Sequence, residues 1–276
     1  MAAAADAAVL VGVGSERNYP AVRLAAQEAA AHERQLHLLH AFNWTAAFEA
    51  PTIAQPRVHA EELLTEAHRI AAEVAPDLPV HEEIVEGPAV AVLVRRSDAA
   101  FLAVVGDGGM AACADCVPAE APAVQLAARA GCPVLVARRE PPPQGPVLVG
   151  VDGTASSEAA LEWAVDCAAR REARLLAVRV VEPDETIEDA TGQLEAVVAR
   201  YAGRRPDLPT ECHAIRGDPG NVLVDQSRSA QLAVVAARGD EPARGMLGAV
   251  SQSLLYHSPA PVIVIRGLTG IPTGGA

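Results

Sequence analysis

Short apolar runs alternate with amphipathic stretches along the chain, and this alternation predicts strands and helices in turn. The run VLVGV at 147–151 is apolar without a break, which is typical of a strand buried on both faces. In the following stretch, 156–171, apolar residues recur at helical spacing. Further strands are predicted at 175–181, 210–217, 232–237 and 261–266, and further helices at 185–201, 219–229 and 249–257. Regular alternation of strand and helix favours a parallel sheet with right-handed crossovers.

The first half of the chain repeats this pattern. VLVGVGS at 9–15 matches VLVGVDGT at 147–154, except that the first copy lacks a counterpart of Asp152. Three later segments also match, namely 86–94 with 216–224, 101–109 with 232–240, and 131–139 with 259–267. Between the copies, REPPPQGP at 139–146 favours a stiff extended linker. We therefore predict two domains, 1–140 and 145–268, followed by a flexible tail at 269–276.

Each copy is expected to form a doubly wound α/β domain with the strand order 3-2-1-4-5. In such sheets, ligands bind beyond the carboxyl ends of the strands, at the point where the strand order reverses. Asp152 follows the first strand of the second copy and Gly239 follows its fourth strand, so both fall at that point.

Composition excludes several classes of function. The formal charge of the 276 residues is −13, and no Lys occurs among them. Without Lys the chain cannot carry a P-loop of the GxxxxGK[ST] type or a Schiff-base nucleophile. An acidic protein repels phosphate backbones, and an aromatic content of 3% is too low for a base-stacking surface. We therefore expect no nucleic-acid partner.

The sequence also predicts a cytoplasmic protein without a membrane partner. The N-terminus, MAAAADAAVLVGVG, lacks the basic segment of a signal peptide. No apolar stretch reaches the roughly 18 residues that a membrane helix needs. The odd number of Cys, 5, fits reduced thiols.

Two groups of candidate ligands make weak metal sites. Cys113 and Cys116 have the spacing of a redox or metal half-site, but no second pair lies at a convincing spacing, which favours incidental thiols. His37 and His40 are three residues apart on a predicted strand and therefore face opposite ways. No Ser lies in a Gly-x-Ser-x-Gly elbow. We expect neither a protein metal site nor catalysis.

The order of the motifs resembles the universal stress protein family. The resemblance rests on VGVDGT at 149–154, Gly217-Asp218-Pro219, GAVSQS at 248–253 and PVIVIR at 261–266. It covers both copies and so indicates the tandem, two-domain type. It implies Rossmann-like domains similar to those of the adenine nucleotide alpha hydrolases, packed as an internal pseudo-dimer. It further implies that the last strands, 133–137 and 262–266, meet near a pseudo-two-fold axis.

The nucleotide-binding members of that family carry Gly-x2-Gly-x9-Gly-[Ser/Thr] after the fourth strand, and the second copy keeps this motif in part. Ala236 stands at the first Gly, the loop from Gly239 to Gly248 is one residue short, and Ala249 replaces Ser or Thr. The resemblance places a nucleotide site at Asp152, Gly153, Val180, Gly217, Gly239, Gly248, Ala249 and Ser251. Asp152 has a second interpretation as a cap of the following helix, and both stay open.

The first copy departs further from the motif. It keeps Gly106 and Gly109, but Glu120 and Ala121 stand where Gly and Ser are expected. The free N–H groups and dipole of a helix N-terminus attract phosphate, so a carboxylate there opposes binding. We expect at most weak ATP binding, with accompanying Mg²⁺, in the second copy. The alternative is a nucleotide-free scaffold that acts through protein–protein interaction, as the pseudo-dimer or as a homo-oligomer.

Overall fold

The structure, a computed structural model, describes residues 7–42, 54–108, 121–140, 142–181, 183–238 and 245–266. Contacts separate the described residues up to 140 from those beyond it, so the chain forms two units. The described ranges leave out Gly109, Glu120, Gly239, the Cys113–Cys116 segment and the tail at 269–276.

The first unit alternates strands with helices. Its strands are β1 (Val9–Gly12), β2 (Leu36–Phe42), β3 (Val80–Glu86), β4 (Leu102–Gly106) and β5 (Val134–Ala137). Its described helices are α1 (Tyr19–Ala31), α2 (Ala54–Val74), α3 (Ala89–Ser97) and α4 (Pro122–Arg129), and a short 3₁₀ turn (Glu16–Asn18) precedes α1.

The second unit follows the same sequence of elements. Its strands are β6 (Val147–Gly150), β7 (Leu175–Val180), β8 (Thr210–Ile215), β9 (Leu232–Ala236) and β10 (Val262–Ile265). Its described helices are α5 (Ala155–Arg170), α6 (Ile187–Ala202), α7 (Pro219–Ser227) and α8 (Ala249–His257). These bounds agree with the predicted elements to within one or two residues.

The strands of each unit pair in parallel. The order is β3-β2-β1-β4-β5 in the first unit and β8-β7-β6-β9-β10 in the second. Both orders are the predicted 3-2-1-4-5, and the prediction of two tandem doubly wound sheets is confirmed. The first strand of each unit therefore lies at the middle of its sheet, between the second and the fourth.

Helices cover the sheets, which explains the apolar runs. In the second unit α5 packs against α6 and α7 against α8, and right-handed crossovers place the two pairs on opposite faces. Every residue of β5 and β10 is buried. By contrast, β3 and β8 lie beyond the second strand of their sheets and keep polar residues that are exposed or half-buried.

Among the helices that the structure describes, none combines the length and the apolar character needed to cross a membrane.

Candidate functional site

The strand order of the second sheet reverses between β6 and β9, and the carboxyl ends of these two strands open a crevice there. β6 pairs with β7 on one side and with β9 on the other. The described residues that follow these strands, 151–154 after β6 and 237–238 with 245–248 after β9, therefore lie at the same edge of the sheet. The first segment contains Asp152 and the second contains Gly248.

Asp152 forms a compact turn with the residues that begin α5. Its Oδ1 accepts hydrogen bonds from the backbone N–H of Thr154 at 3.0 Å and from the Thr154 hydroxyl at 2.7 Å. Thr154 is the N-cap of α5, because its Oγ1 accepts the N–H of Ser157 at 3.2 Å. The cap is thus Thr154, and Asp152 holds the capping residue in place while its own side chain stays exposed.

The same contacts set the charge of Asp152. Burial of part of the group raises its pKa, but the hydrogen bonds from Thr154 and Ser157 lower it by more, so the pKa lies below its ordinary value. Asp152 is therefore ionised at neutral pH and carries a negative charge at the mouth of the crevice.

Two of the predicted glycines are required by the backbone. Gly153 has φ +85°, a left-handed conformation in the turn after Asp152. Gly217 has φ +150°, and a Cβ on it would lie 2.9 Å from Cγ2 of Val222. Both positions favour glycine without any ligand, so neither residue is by itself evidence for a binding site.

Gly248 differs from these two because neither its backbone conformation nor the described residues around it require a glycine. It is the N-cap of α8, with φ −71° and ψ 160°, and its N–H donates to the Ala237 carbonyl at 2.7 Å. A Cβ on Gly248 would meet Ala237 O at 3.5 Å and Arg238 Cα at 3.7 Å, which are ordinary contacts. Ala249, the first residue of the helix, is exposed. The start of α8 therefore presents an open backbone at the crevice.

Ser251 lies below this opening and not at its surface. It is 1% exposed, and its hydroxyl lies 2.9 Å from both the Ala237 and the Gly248 carbonyls. The side chain thus ties the start of α8 to the end of β9. We interpret Ser251 as a positioning residue for the helix N-terminus.

Arg179, which the sequence reading missed, borders the turn at Asp152. Its Nη1 is 3.8 Å from the place that a Cβ on Gly153 would take. Its Nη2 donates to Glu185 Oε1 at 3.1 Å, and Arg216 donates to the Glu185 backbone carbonyl at 2.7 Å. Val180 follows Arg179 as the last residue of β7, half-buried and one strand away from the crevice. The sequence pattern that could have indicated Arg179 as a site residue is a single Arg near the end of a strand that is otherwise apolar.

Beyond Arg179, an open groove of about 790 Å³ runs along the start of α6. Its lining includes four carboxylates, from Asp184, Glu185, Glu188 and Asp189. Such a lining repels phosphate, so the groove is a poor match for a nucleotide.

Gly217 is the predicted residue that lies farthest from the crevice along the sheet. It follows β8, and β7 separates that strand from β6. The helix that begins there, α7, nevertheless packs against α8, because a Cβ on Gly220 would lie 2.7 Å from the Ser253 hydroxyl. The segment after β8 thus supports the helix whose N-terminus faces the crevice.

The corresponding crevice of the first unit contains a side chain of the protein itself. The Asn18 Oδ1 accepts hydrogen bonds from the N–H groups of Gly14 at 3.0 Å and Ser15 at 3.1 Å. The Nδ2 of the same side chain lies 3.0 Å from the place of a Cβ on Gly106, at the end of β4. Asn18 therefore bridges the segments after β1 and β4, where a ligand of a doubly wound sheet would lie.

Comparisons with known proteins agree with the fold and the repeat. The model of the universal stress protein family matches residues 7–138 and 145–266. Universal stress protein Rv2005c of Mycobacterium tuberculosis is 33% identical over 286 residues, which span 94% of this chain and 96% of that protein.

A solved structure gives the same result for the fold. A universal stress protein of Archaeoglobus fulgidus has a TM-score of 0.73 at 18% identity, covering 94% of this chain and 96% of that one. A universal stress protein in complex with cAMP matches 49% of this chain and 100% of its own, at 24% identity and a TM-score of 0.38. Since the family model covers nearly all of both units and a relative matches along nearly the full length, the chain belongs to the universal stress protein family.

Proposed function

We propose that this protein is a stress-response protein whose second unit binds an adenine nucleotide, ATP, weakly. The observation that carries the proposal is the open N-terminus of α8 at the switch-point crevice. There Gly248 has an ordinary backbone conformation and, among the described residues, room for a Cβ, so these residues give no reason for the glycine. A ligand that approaches the backbone closely would be such a reason.

The phosphates would lie against the first turn of α8. The first N–H groups of a helix have no partner within the helix, and together with the dipole they attract anions. Arg238, next to β9, adds a positive charge at this edge, where its Nη1 lies 3.7 Å from the Met246 sulfur.

The sugar and base would extend toward β7. The ionised Asp152 is exposed and would contact a ribose hydroxyl or the Mg²⁺ that accompanies ATP. The resemblance to nucleotide-binding members assigns a backbone contact with adenine to Val180, at the end of β7.

Three features limit the affinity. Ala249 lacks the hydroxyl of the family motif, which removes a hydrogen bond worth about 0.5–1.5 kcal/mol net. The loop is one residue short, and its sequence contains Asp240 and Glu241, whose carboxylates repel phosphate. Because two carboxylates offset the charge of Arg238, we infer weak binding.

Calorimetric titration with ATP tests the proposal on the full chain, without an affinity tag. We expect the parent protein to bind one ATP, and both Asp152→Ala and Gly248→Ala to bind it more weakly. Gly248→Ala is the sharper variant, because a methyl group there makes only ordinary contacts with the described residues and would stand in the way of an approaching ligand. Loss of a hydrogen bond to a charged oxygen costs about 1.5–3 kcal/mol, or roughly ten- to a hundredfold in affinity.

Gly106→Ala serves as the matched control in the first unit. There the methyl group would displace the Asn18 amide by a few tenths of an ångström, and we expect ATP affinity to stay unchanged. Equal losses from Gly106→Ala and Gly248→Ala would contradict the assignment to the second unit.

The second candidate function is a nucleotide-free scaffold that acts through protein–protein interaction. It is favoured by the replacement of the motif Ser or Thr by Ala249 and by the acidic loop at 240–241. A parent protein that binds neither ATP nor AMP in the titration would replace the nucleotide proposal with this one.

Three further predictions accompany either function. We propose that the protein is not an enzyme, because the sequence contains no Lys to act on transferred phosphates. We also propose that it acts in the cytoplasm and that its two domains form the pseudo-dimer described by the resemblance. Rapid hydrogen exchange along the last strands of both domains, 133–137 and 262–266, in solution would refute the pseudo-dimer.

A further inference from the structure

Three potential metal ligands from β2 and β3 meet on one face of the first sheet. The two strands pair in parallel, with His37 opposite His81 and Leu39 opposite Glu83. Residues two apart on a strand share a face, so His81 and Glu83 lie on the same side. One ligand atom from each of His37, His81 and Glu83 lies within 4.8 Å of the other two.

The distances approach those of a tetrahedral metal site. Ligand atoms at about 2.1 Å from a tetrahedral metal are about 3.4 Å from one another. His37 Nε2 already lies 3.0 Å from Glu83 Oε2. The rings of His37 and His81 are 4.8 Å apart between centroids, at an interplanar angle of 52°. His81 is exposed, so a side-chain rotation is enough to bring its nitrogen closer.

The Nε2 atom of His37 is poorly satisfied in this arrangement. It is buried, and within the part of the chain that the structure describes it makes no hydrogen bond, although it lies 3.0 Å from Glu83 Oε2. A buried polar atom without a hydrogen bond destabilises the folded protein. Coordination of a metal ion by the nitrogen lone pair would remove this cost.

Arg96, on α3, contacts the other carboxylate oxygen of Glu83. Outer partners of this kind orient a ligating carboxylate and fix which oxygen faces the metal. The positive charge of Arg96 repels a metal cation bound at Glu83 and lowers the affinity for that metal. Its side chain is 41% exposed, so solvent screens much of this repulsion.

We propose that His37, His81 and Glu83 form a binding site for a divalent transition metal of the Zn²⁺ class. Two imidazoles and one carboxylate are a donor set of three-ligand zinc sites, which leave a fourth position for water or another ligand. Imidazole donors favour Zn²⁺, Ni²⁺ or Cu²⁺ over Mg²⁺ and Ca²⁺, which take oxygen ligands. The site departs from the expectation that the chain has no metal ligands. That expectation compared His37 with His40 and left out the neighbouring strand.

The test is a Zn²⁺ titration of the full chain, without an affinity tag, in competition with a chromophoric chelator. Cys113 and Cys116 are first replaced by Ser, because their spacing offers thiolates to the same metal. In that background we expect one Zn²⁺ per chain. We expect His81→Ala to weaken binding by at least tenfold, since even outer partners of a metal ligand are worth about ten- to a hundredfold.

His68→Ala is the matched control. His68 is an exposed histidine of the same unit, and its Nδ1 lies 2.5 Å from Oε1 of Glu82, which faces the other side of β3. The variant removes the same number of histidines but leaves the three proposed ligands intact, so Zn²⁺ affinity should stay within about twofold, well below the loss of a ligand.

Glu83→Gln is a second test of the metal ligands, because it keeps the shape of the side chain and removes its charge. We expect it to weaken binding as His81→Ala does. Absence of Zn²⁺ binding in the background that lacks Cys113 and Cys116, or an equal loss from His68→Ala and His81→Ala, would overturn the proposal.

Discussion

The two crevices of this protein differ in what lies between their central strands. In the second unit, the turn after β6 folds back on itself through Asp152 and Thr154, and the opposite edge is the open start of α8. In the first unit, Asn18 reaches across from the turn after β1 to Gly106. One crevice is bordered by a carboxylate and a helix N-terminus, and the other is occupied by a carboxamide of the chain.

The missing residue of the first copy explains much of this difference. Without a counterpart of Asp152, the turn after β1 has no carboxylate to accept its N–H groups. Asn18, from the 3₁₀ turn that follows, accepts those of Gly14 and Ser15 instead. Backbone N–H groups that are removed from water need a hydrogen-bond acceptor. When a turn lacks one acceptor side chain, a different side chain that accepts the same N–H groups is favoured.

The largest difference should come from restoring the motif hydroxyl in each unit. Ala249→Ser places a donor at the exposed N-terminus of α8, where a hydrogen bond to a phosphate oxygen adds about 1.5–3 kcal/mol, or roughly ten- to a hundredfold in ATP affinity. Ala121→Ser, at the start of α4, should leave ATP binding unchanged, because Glu120 precedes it and the first unit lacks the Asp. Calorimetric titration of ATP into the parent and both variants measures the effect.

If Ala249→Ser shows no measurable affinity, the short acidic loop has closed the crevice, and the scaffold function replaces nucleotide binding. Equal gains from the two variants would instead remove the distinction between the units.

The second prediction concerns the Asn18 bridge. Asn18→Ala removes two hydrogen bonds to backbone N–H groups, each worth about 0.5–1.5 kcal/mol, so the turn should lose about 1–3 kcal/mol of local stability. Hydrogen exchange followed by mass spectrometry should show faster exchange at Gly14 and Ser15 and unchanged exchange in 152–157 of the second unit. Unchanged exchange at Gly14 and Ser15 would show that the bridge contributes nothing to the turn. We expect no ATP binding in the opened crevice.

The smallest effect is a pH dependence confined to the second unit. The pKa of Asp152 is lowered in the folded protein, so its ionised form adds stability above the ordinary pKa of about 3.9, and this is lost as pH falls through the folded value. The stability difference between parent and Asp152→Ala should therefore shrink between about pH 5 and acid conditions.

Urea unfolding followed by tryptophan fluorescence measures this difference. In a Trp44→Phe background, the fluorescence comes from Trp163, which is buried in α5 of the second unit. A difference that stays constant with pH would show that the stabilisation by Asp152 does not depend on its charge.

The order of elements could be predicted from the sequence because strands buried on both faces appear as unbroken apolar runs. VLVG at 147–150 and VIVI at 262–265 are such strands. The polar strand β3 follows no such pattern, and its pairing partner depends on a register that no residue type reveals. For this reason His81 and Glu83 could not be matched with His37 from the sequence.

The candidate site could be predicted in its position but not in its detail. The glycine at 248 and the aspartate at 152 both lie at the switch point, where the pattern of strands places ligands. That Thr154 rather than Asp152 caps α5, and that the Ser251 hydroxyl is directed to carbonyls of the chain, depends on turn geometry. Side-chain bonds of this kind are decided by distances of a few tenths of an ångström.

The strand order also determines when each crevice can exist. In each unit the first strand pairs with the second, which follows soon after it in the chain, and with the fourth, which is made much later. During synthesis, the first three strands of each unit are therefore complete before the residues that finish its crevice have been made. The switch point is the boundary between strands that are synthesised early and strands that are synthesised late. A molecule bound there contacts parts of the chain that were made at different times.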